Sequence, residues 1–165
     1  MRIEIKEIKI YKFDEASREL KDKIIENFDC EGFIYEHCMS ERIDTLKKLA
    51  MYLNLELDYS ISCVPSRGEF IKFDTKNDDV DNLWGDLKEL SKQDCPLTGC
   101  CYDHDLLDYF KIDNGHYEAI DALNEAASKY IESIHKEYES MLTDEYIRNM
   151  CESNEYEFTE DGKLY

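Results

Sequence analysis

The chain has few basic residues, few prolines and glycines, and no long apolar run. Lysine and arginine number 20 against 39 aspartates and glutamates, which gives a formal net charge of -19 over 165 residues. This deficit of positive charge argues against a protein that binds nucleic acid across its own surface, because phosphate contacts need a basic patch. No stretch approaches the roughly 20 apolar residues of a membrane-spanning helix.

Signals of targeting and of disorder are also missing. The N-terminal segment MRIEIKEIKIYKFDE has no apolar core and no small-residue cleavage site, so we expect no secretory signal and a cytoplasmic location. With two prolines and six glycines, the chain shows no linker, repeat or low-complexity stretch, and its length suits one domain over residues 1–165. Hydrophobic types make up 42% of the sequence, which is too much for a disordered acidic tail.

The common motifs of catalysis are absent. There is no Gly-rich phosphate-binding loop, no H-E-x-x-H and no G-x-S-x-G. Asp103-His104-Asp105 is the one local grouping that could place a base or a metal ion, but neighbouring residues on a turn point in different directions. We therefore expect no catalytic residues, no cofactor and no enzymatic activity.

Seven cysteines are present, an odd number that fits poorly with a closed disulfide framework. Three of them and a histidine lie within ten residues, namely Cys95, Cys100, Cys101 and His104. Thiolate and imidazole are ligands that zinc prefers, but the spacing is not that of a C-x2-C knuckle and no second pair follows. We favour the interpretation that these cysteines are small buried hydrophobes on a short strand, with metal binding as the alternative.

Hydrophobic periodicity predicts an α+β fold, with about five helices around a small, mainly antiparallel sheet. Helices are expected over residues 15–28, 36–53 and about 117–142. Another expected helix carries Val80 to Leu90 after a cap at Asp78 or Asp79, and a short one runs from Asp103 or Asp105 to Phe110. A last helix is expected after Thr143. The expected strands are 3–13, a hairpin from Leu55 to Phe73 that turns at Pro65–Gly68, a short strand over 97–102, and a C-terminal hairpin that turns at Asp161-Gly162.

Negative charge is unevenly distributed along the chain. Residues 1–25 carry seven basic and six acidic groups, whereas residues 26–165 carry 13 and 33. The densest acidic and aromatic set is Asp144, Glu145, Glu152, Glu155, Tyr156, Glu157, Phe158, Glu160 and Asp161. Such a face could dock on a basic protein or occupy a basic DNA-binding groove. The alternative is an acidic surface that serves solubility. We take residues 114–165 as the candidate interaction region.

Four segments carry a resemblance to known proteins, and they are IYKFDEASRELKDKIIEN, LNLELDYSIS, PLTGCCYDHDLL and EYESMLTDEYIRNMCESNEYEFTEDGKLY. In this order they resemble a family of small proteins of temperate phages, prophages and phage-like elements, often labelled antitoxins of a toxin–antitoxin stability system. The segments span most of the chain, and NEYEFTEDG is the most specific. Family members often have an aromatic residue where this chain has Cys100, and a more aromatic start to the second helix than EGFIYEHC.

The resemblance implies a mobile-element context, in which small acidic proteins typically act by binding another protein. The implied basic partners are a site-specific recombinase, a toxin or a host defence nuclease. In elements with large serine recombinases, a recombination directionality factor binds the recombinase and shifts which attachment sites can synapse. We expect a non-catalytic regulatory protein of this kind, with a DNA-mimic inhibitor or antitoxin as the alternative, and no direct binding of nucleic acid or membrane.

Overall fold

The computed structural model describes residues 7–76, 82–111 and 118–165, without the side chains of Glu36 and His37. Within these ranges the chain forms seven α-helices and two separate antiparallel sheets of two strands each. The predicted α+β class is therefore confirmed. The expectation of about five helices around one sheet is wrong in both its helix count and its sheet.

The secondary structure follows the predicted order in most places. The helices are α1 (Arg18–Asn27), α2 (Cys30–Ile34), α3 (Ser40–Tyr52), α4 (Leu83–Ser91), α5 (Tyr102–Leu107), α6 (Ala119–Met141) and α7 (Asp144–Ser153). A π-helical turn joins α2 to α3, and a 3-10 turn follows α5; these turns are Tyr35–Met39 and Asp108–Lys111. The strands are β1 (Ile10–Lys12), β2 (Leu55–Ser60), β3 (Phe70–Thr75) and β4 (Glu157–Thr159). Four parts of the predicted elements lie outside the described residues: the start of the expected strand over 3–13, the caps at Asp78 or Asp79, Val80 of the expected third helix, and residue 117 of the expected helix over 117–142.

The chain divides into two compact units. The terminal unit holds residues 1–30 and 139–165, and the central unit holds residues 31–138. In the terminal unit β1 pairs with β4, and Tyr11 lies opposite Phe158. Strands from the two ends of the chain thus form one small sheet.

Side-chain caps fix where the helices of the terminal unit begin. The Ser17 hydroxyl accepts a hydrogen bond of 3.3 Å from the Leu20 N–H at the start of α1. The Thr143 hydroxyl accepts one of the same length from Tyr146 at the start of α7. Serine and threonine are favoured at this position because they satisfy backbone donors that have no partner inside the helix.

One apolar core stabilises the terminal unit, and its buried members are Phe13, Ala16, Leu20, Ile24, Cys30, Ile147, Cys151 and Phe158. The rings of Phe13 and Phe158 meet edge to face with centroids 6.4 Å apart. This core joins β1, α1, α7 and β4, so the two ends of the chain are held together by burial of apolar area.

The central unit contains the predicted β-hairpin, in which β2 and β3 pair from Leu55 opposite Thr75 to Ser60 opposite Phe70. The Asn124 side chain of α6 extends the hydrogen bonding of β3. Its Oδ1 accepts the Phe73 N–H at 2.8 Å, and its Nδ2 donates to the Phe73 carbonyl at 3.1 Å. This bidentate pair attaches the long helix to the hairpin and satisfies backbone groups at the sheet edge.

Two predicted elements are corrected. Residues 97–102 do not form a strand, because Asp103 accepts hydrogen bonds from the Leu97 and Thr98 N–H groups and holds this stretch as a turn before α5. At the C-terminus the turn at Gly162 forms with φ +80°, but β4 pairs with β1 instead of with a following strand. Of the expected hairpin, the described residues form a bridge between Phe158 and Leu164 and two backbone hydrogen bonds, from Thr159 N–H to the Lys163 carbonyl and from Tyr165 N–H to the Glu157 carbonyl.

Candidate functional site

The first turn of α7 is acidic. Asp144 and Glu145 follow the N-cap Thr143, and both side chains are exposed. Negative charge is favourable at a helix N-terminus, because the helix dipole and the free N–H groups present positive potential there. These two carboxylates therefore have a structural role at the helix start as well as a place on the surface.

The outer face of α7 continues this acidic surface. Ile147, Met150 and Cys151 point into the core, so Glu145 and Glu152, seven residues apart, share the opposite face. Neither carboxylate forms an ion pair with any described residue. The cation between them, Arg148, lies 3.7 Å from Asp22 on α1.

The acidic residues after α7 are largely neutralised inside the terminal unit. Glu155 Oε2 lies 2.9 Å from Lys12 Nζ, and Glu160 Oε1 lies 3.2 Å from Lys9 Nζ. Asp161 pairs with Lys163 at 3.0 Å. Exposed pairs of this kind contribute at most about 1 kcal/mol each, but they reduce the negative charge that a partner would meet.

The two predicted aromatic contacts differ in their exposure. Phe158 is 1% exposed and belongs to the core, so its inclusion among surface contacts is corrected. Its position opposite Tyr11 in the sheet turns the ring inward. Tyr156 is half-buried and packs against the same core, whereas Glu157 between them is exposed.

We define the acidic surface as the exposed carboxylates of the terminal unit that form no ion pair with a described residue. From the predicted set these are Asp144, Glu145, Glu152 and Glu157. They lie on two successive elements, α7 and β4. An uncompensated group of this kind can attract a basic partner and speed its association.

The cysteine–histidine cluster of the central unit is only partly brought together. Cys100 Sγ lies 3.1 Å from Glu41 Oε2, and this hydrogen bond together with burial raises the pKa of the Cys100 thiol to about 11. Cys101 is exposed at the start of α5. Cys95 and His104 do lie close to each other, and Asp94 joins them, so that one ligand atom from each falls within 4.8 Å of the others. The expected short strand is absent, and these cysteines are not buried hydrophobes.

The triplet Asp103-His104-Asp105 separates as expected, with each side chain in a different environment. Asp103 is fully buried beneath the loop of residues 94–100. Burial would raise the pKa of this carboxyl, but hydrogen bonds from Thr98 and Leu97 outweigh burial and lower it. His104 turns toward Asp94, and Asp105 lies 3.1 Å from the guanidinium of Arg42.

A buried arginine cluster was not predicted. Arg42 is 2% exposed, and its Nε donates to Glu137 Oε2 at 3.0 Å while its Nη1 donates to Ser133 Oγ at 3.1 Å. Its guanidinium also stacks 4.2 Å from the centre of the Tyr102 ring. Burial disfavours the charged guanidinium, but the hydrogen bond and charge of Glu137 prevail and raise the pKa of Arg42.

A sequence signal for this cluster did exist. Arg42 lies four residues before Leu46 and seven before Leu49, so it falls on the apolar stripe of α3, where both leucines are fully buried. A charged residue on such a stripe needs a partner inside the fold. Its partner Glu137 lies 95 residues away in the sequence, so the stripe alone would not have identified it.

Comparisons with models of protein families, with curated proteins and with solved structures find no match for this chain. Across the described part of the chain, no helix has the length and apolar character that crossing a membrane demands.

Proposed function

We propose that this protein is a non-catalytic regulatory protein of a phage or phage-like mobile element, and that it acts in the cytoplasm by binding a basic partner protein. The observation that supports this most directly is the acidic surface of the terminal unit, whose carboxylates form no ion pair with a described residue. The overall charge of -19 acts in the same direction.

The physical basis is electrostatic complementarity. Opposite potentials on two proteins steer their encounter and raise the association rate well above that of neutral surfaces at low salt. The α7 carboxylates Glu145 and Glu152 lie on one exposed face, about 10 Å apart along the helix axis, so a single basic patch can contact both. The half-buried Tyr156 supplies apolar area near this charged face.

The partner we favour is a large serine recombinase of the same element. A recombination directionality factor binds such a recombinase and shifts which attachment sites can synapse, and an acidic protein suits this role better than it suits operator binding. The resemblance of the four sequence segments to phage proteins supports this choice of partner.

The alternative is a DNA-mimic inhibitor or antitoxin that occupies the nucleic-acid groove of a toxin, nuclease or recombinase. Two features favour this alternative. Carboxylates follow one another on α7 and β4, and Arg148 is the one cation of α7. The alternative is disfavoured by the lysines that neutralise Glu155 and Glu160, since a mimic gains from every negative charge it presents.

The decisive experiment measures binding to the recombinase of the element at several salt concentrations. We expect Glu145→Lys/Glu152→Lys to weaken binding about tenfold or more at low salt, which corresponds to about 1.4 kcal/mol. The matched control is Glu56→Lys/Asp58→Lys, which makes the same charge change on exposed positions of β2. If the two double variants bind equally well, the acidic surface does not form the contact.

A second measurement separates the two candidate functions. The recombinase is assayed for DNA binding and for excision, with and without this protein. A directionality factor leaves DNA binding intact and promotes excision, whereas a mimic displaces DNA from its partner. If the protein neither binds the recombinase nor changes excision, the recombinase proposal is wrong.

A further inference from the structure

The loop between α4 and α5 brings three different ligand atoms to one place in the central unit. His104 Nε2 lies 3.1 Å from Asp94 Oδ1, and Cys95 Sγ lies 3.8 Å from the same oxygen. One ligand atom from each of the three residues falls within 4.8 Å of the others. No fourth Cys, His, Asp or Glu of the described residues joins the group.

We propose that Asp94, Cys95 and His104 bind a zinc ion in a three-residue site whose fourth coordination position is open to solvent. Zinc bonds to carboxylate oxygen and imidazole nitrogen at about 2.0–2.2 Å and to thiolate sulfur at about 2.3 Å. Tetrahedral geometry at these lengths separates neighbouring ligand atoms by roughly 3.3–3.8 Å. The two separations from Asp94 Oδ1 need a change of no more than a few tenths of an ångström to match.

A second carboxylate holds the histidine ring in the orientation that such a site needs. His104 Nδ1 lies 3.3 Å from Asp108 Oδ1, one helical turn further along the chain. With its proton on Nδ1, the ring donates to Asp108 and turns the lone pair of Nε2 toward Asp94 and Cys95. Zinc-bound histidines almost always donate their other N–H to a carboxylate, a carbonyl or water.

The electrostatic surroundings also favour a cation. The carboxylate of Asp94 belongs to the ligand set, and the buried carboxylate of Asp103 accepts hydrogen bonds from the same loop. Their negative charge attracts a divalent ion, which displaces the thiol proton of Cys95 when the thiolate coordinates it. When the neutral ring carries its proton on Nδ1, the Nε2 lone pair faces the Asp94 carboxylate, and a bound zinc would separate the two.

Hydrogen bonds hold the loop in this arrangement. The Asp103 carboxylate accepts hydrogen bonds from the Leu97 and Thr98 N–H groups at 2.7 and 2.9 Å. Within the loop, the Gly99 N–H donates to the Cys95 carbonyl at 3.1 Å. The loop that carries Cys95 is thereby fixed against the helix that carries His104. A zinc ion would link the same two elements and stabilise the central unit by mass action.

The test titrates Zn²⁺ into full-length, metal-stripped protein in competition with a chromophoric chelator. We expect one tight equivalent in the wild type, and a loss of affinity of about 100-fold or more in Cys95→Ser and in His104→Gln. Asp108→Asn should weaken binding about tenfold, because it removes the group that orients the ring. Titration with Co²⁺ should give a thiolate-to-metal charge-transfer band that Cys95→Ser abolishes.

The matched control is Cys100→Ser, which removes a thiol of the same loop that hydrogen-bonds to Glu41 and lies outside the ligand set. It should bind Zn²⁺ as the wild type does. The proposal is overturned if the wild type takes up no tight equivalent, if Cys95→Ser retains full affinity, or if Cys100→Ser loses as much affinity as Cys95→Ser. Circular dichroism of each variant verifies that a lost equivalent is not the result of unfolding.

Discussion

Replacement of Asp103 tests how the central unit holds the loop between α4 and α5. The fully buried carboxylate accepts four hydrogen bonds: two at its Oδ2 from the N–H groups of Leu97 and Thr98, and two at its Oδ1 from the hydroxyls of Thr98 and Thr45, at 2.7 and 3.0 Å. Asparagine keeps the shape but loses the charge, whereas alanine removes every acceptor.

The expected losses of unfolding free energy follow from these hydrogen bonds. In Asp103→Asn the side-chain oxygen can still accept the two amides, and the hydroxyls can turn to accept from the new NH₂ group. Charge-assisted bonds are about twice as strong as neutral ones, so the loss of charge costs about 2 kcal/mol. In Asp103→Ala two backbone N–H groups lose their acceptor, which adds roughly 1–3 kcal/mol each and brings the total to about 4 kcal/mol or more.

Urea unfolding followed by tryptophan fluorescence measures this loss. Trp84 is the only tryptophan in the chain and lies on α4, so it reports on the central unit. Because the folded-state pKa of Asp103 is lowered, its stabilisation is present above the unfolded-state value of about 3.9 and is lost as the pH falls through the folded-state value. The difference between wild type and Asp103→Asn should therefore shrink toward acid.

Two outcomes would refute this reasoning. One is an Asp103→Ala variant within about 1 kcal/mol of the wild type, and the other is an Asn variant less stable than the Ala variant. Asp44→Asn is the control, since it removes one charge from an exposed position of α3. It should change the free energy of unfolding by no more than about 0.5 kcal/mol.

Two further substitutions test the packing of each unit by urea unfolding. Arg42→Met should destabilise the central unit by about 3–5 kcal/mol, because it removes the guanidinium that neutralises the half-buried charge of Glu137, and Arg42→Met/Glu137→Leu should recover part of that loss. Full stability of the single variant would contradict this account. Gly162→Ala should destabilise the terminal unit by about 1–2 kcal/mol from its positive φ, and more because the added Cβ would lie 3.1 Å from the Ile24 backbone nitrogen. Gly99 has the same φ of +80°, and a Cβ added there would meet nothing within 4 Å. Equal losses of unfolding free energy in Gly162→Ala and Gly99→Ala would therefore show that the contact with Ile24 contributes nothing.

Local patterns predicted the elements whose stability is mainly local. Strict alternation from Leu55 onward predicted the β2–β3 hairpin, and the capping residue Thr143 placed the start of α7. The first helix was expected from residue 15, whereas α1 begins at Arg18 after the N-cap Ser17. The long apolar stripe predicted α6 to within a few residues at its C-terminal end. In each case the decisive interactions lie within one element or between neighbours in sequence.

The errors lie where a partner distant in space decides the structure. The apolar character of residues 97–102 favoured a strand, but buried Asp103 holds their amides in a turn instead. Asp161-Gly162 does form a turn, but β4 pairs with β1, which lies almost 150 residues earlier in the sequence. Asp94, which lies beside Cys95 and His104, was missed because the spacing of cysteines and histidine does not include it.

The distribution of charge in the fold differs from the distribution that the linear sequence suggested. Along the chain, the first 25 residues are nearly neutral and the last 22 strongly acidic, which suggested one concentrated acidic end. In the fold, lysines of the first segment pair with Glu155 and Glu160, so part of that acidity is neutralised. The central unit carries 11 basic and 23 acidic residues and the terminal unit 9 and 16, which gives nearly the same negative charge per residue.

Total charge therefore cannot explain why a basic partner would choose the terminal unit. We propose that local arrangement on α7 decides the contact instead, since this helix places Glu145 and Glu152 on one exposed face without ion pairs to described residues. If net charge alone governed binding, reversal of Glu56 and Asp58 on β2 would weaken it as much as reversal of the α7 pair. A larger loss from the α7 pair, with the gap closing as salt increases, is what a specific acidic contact requires.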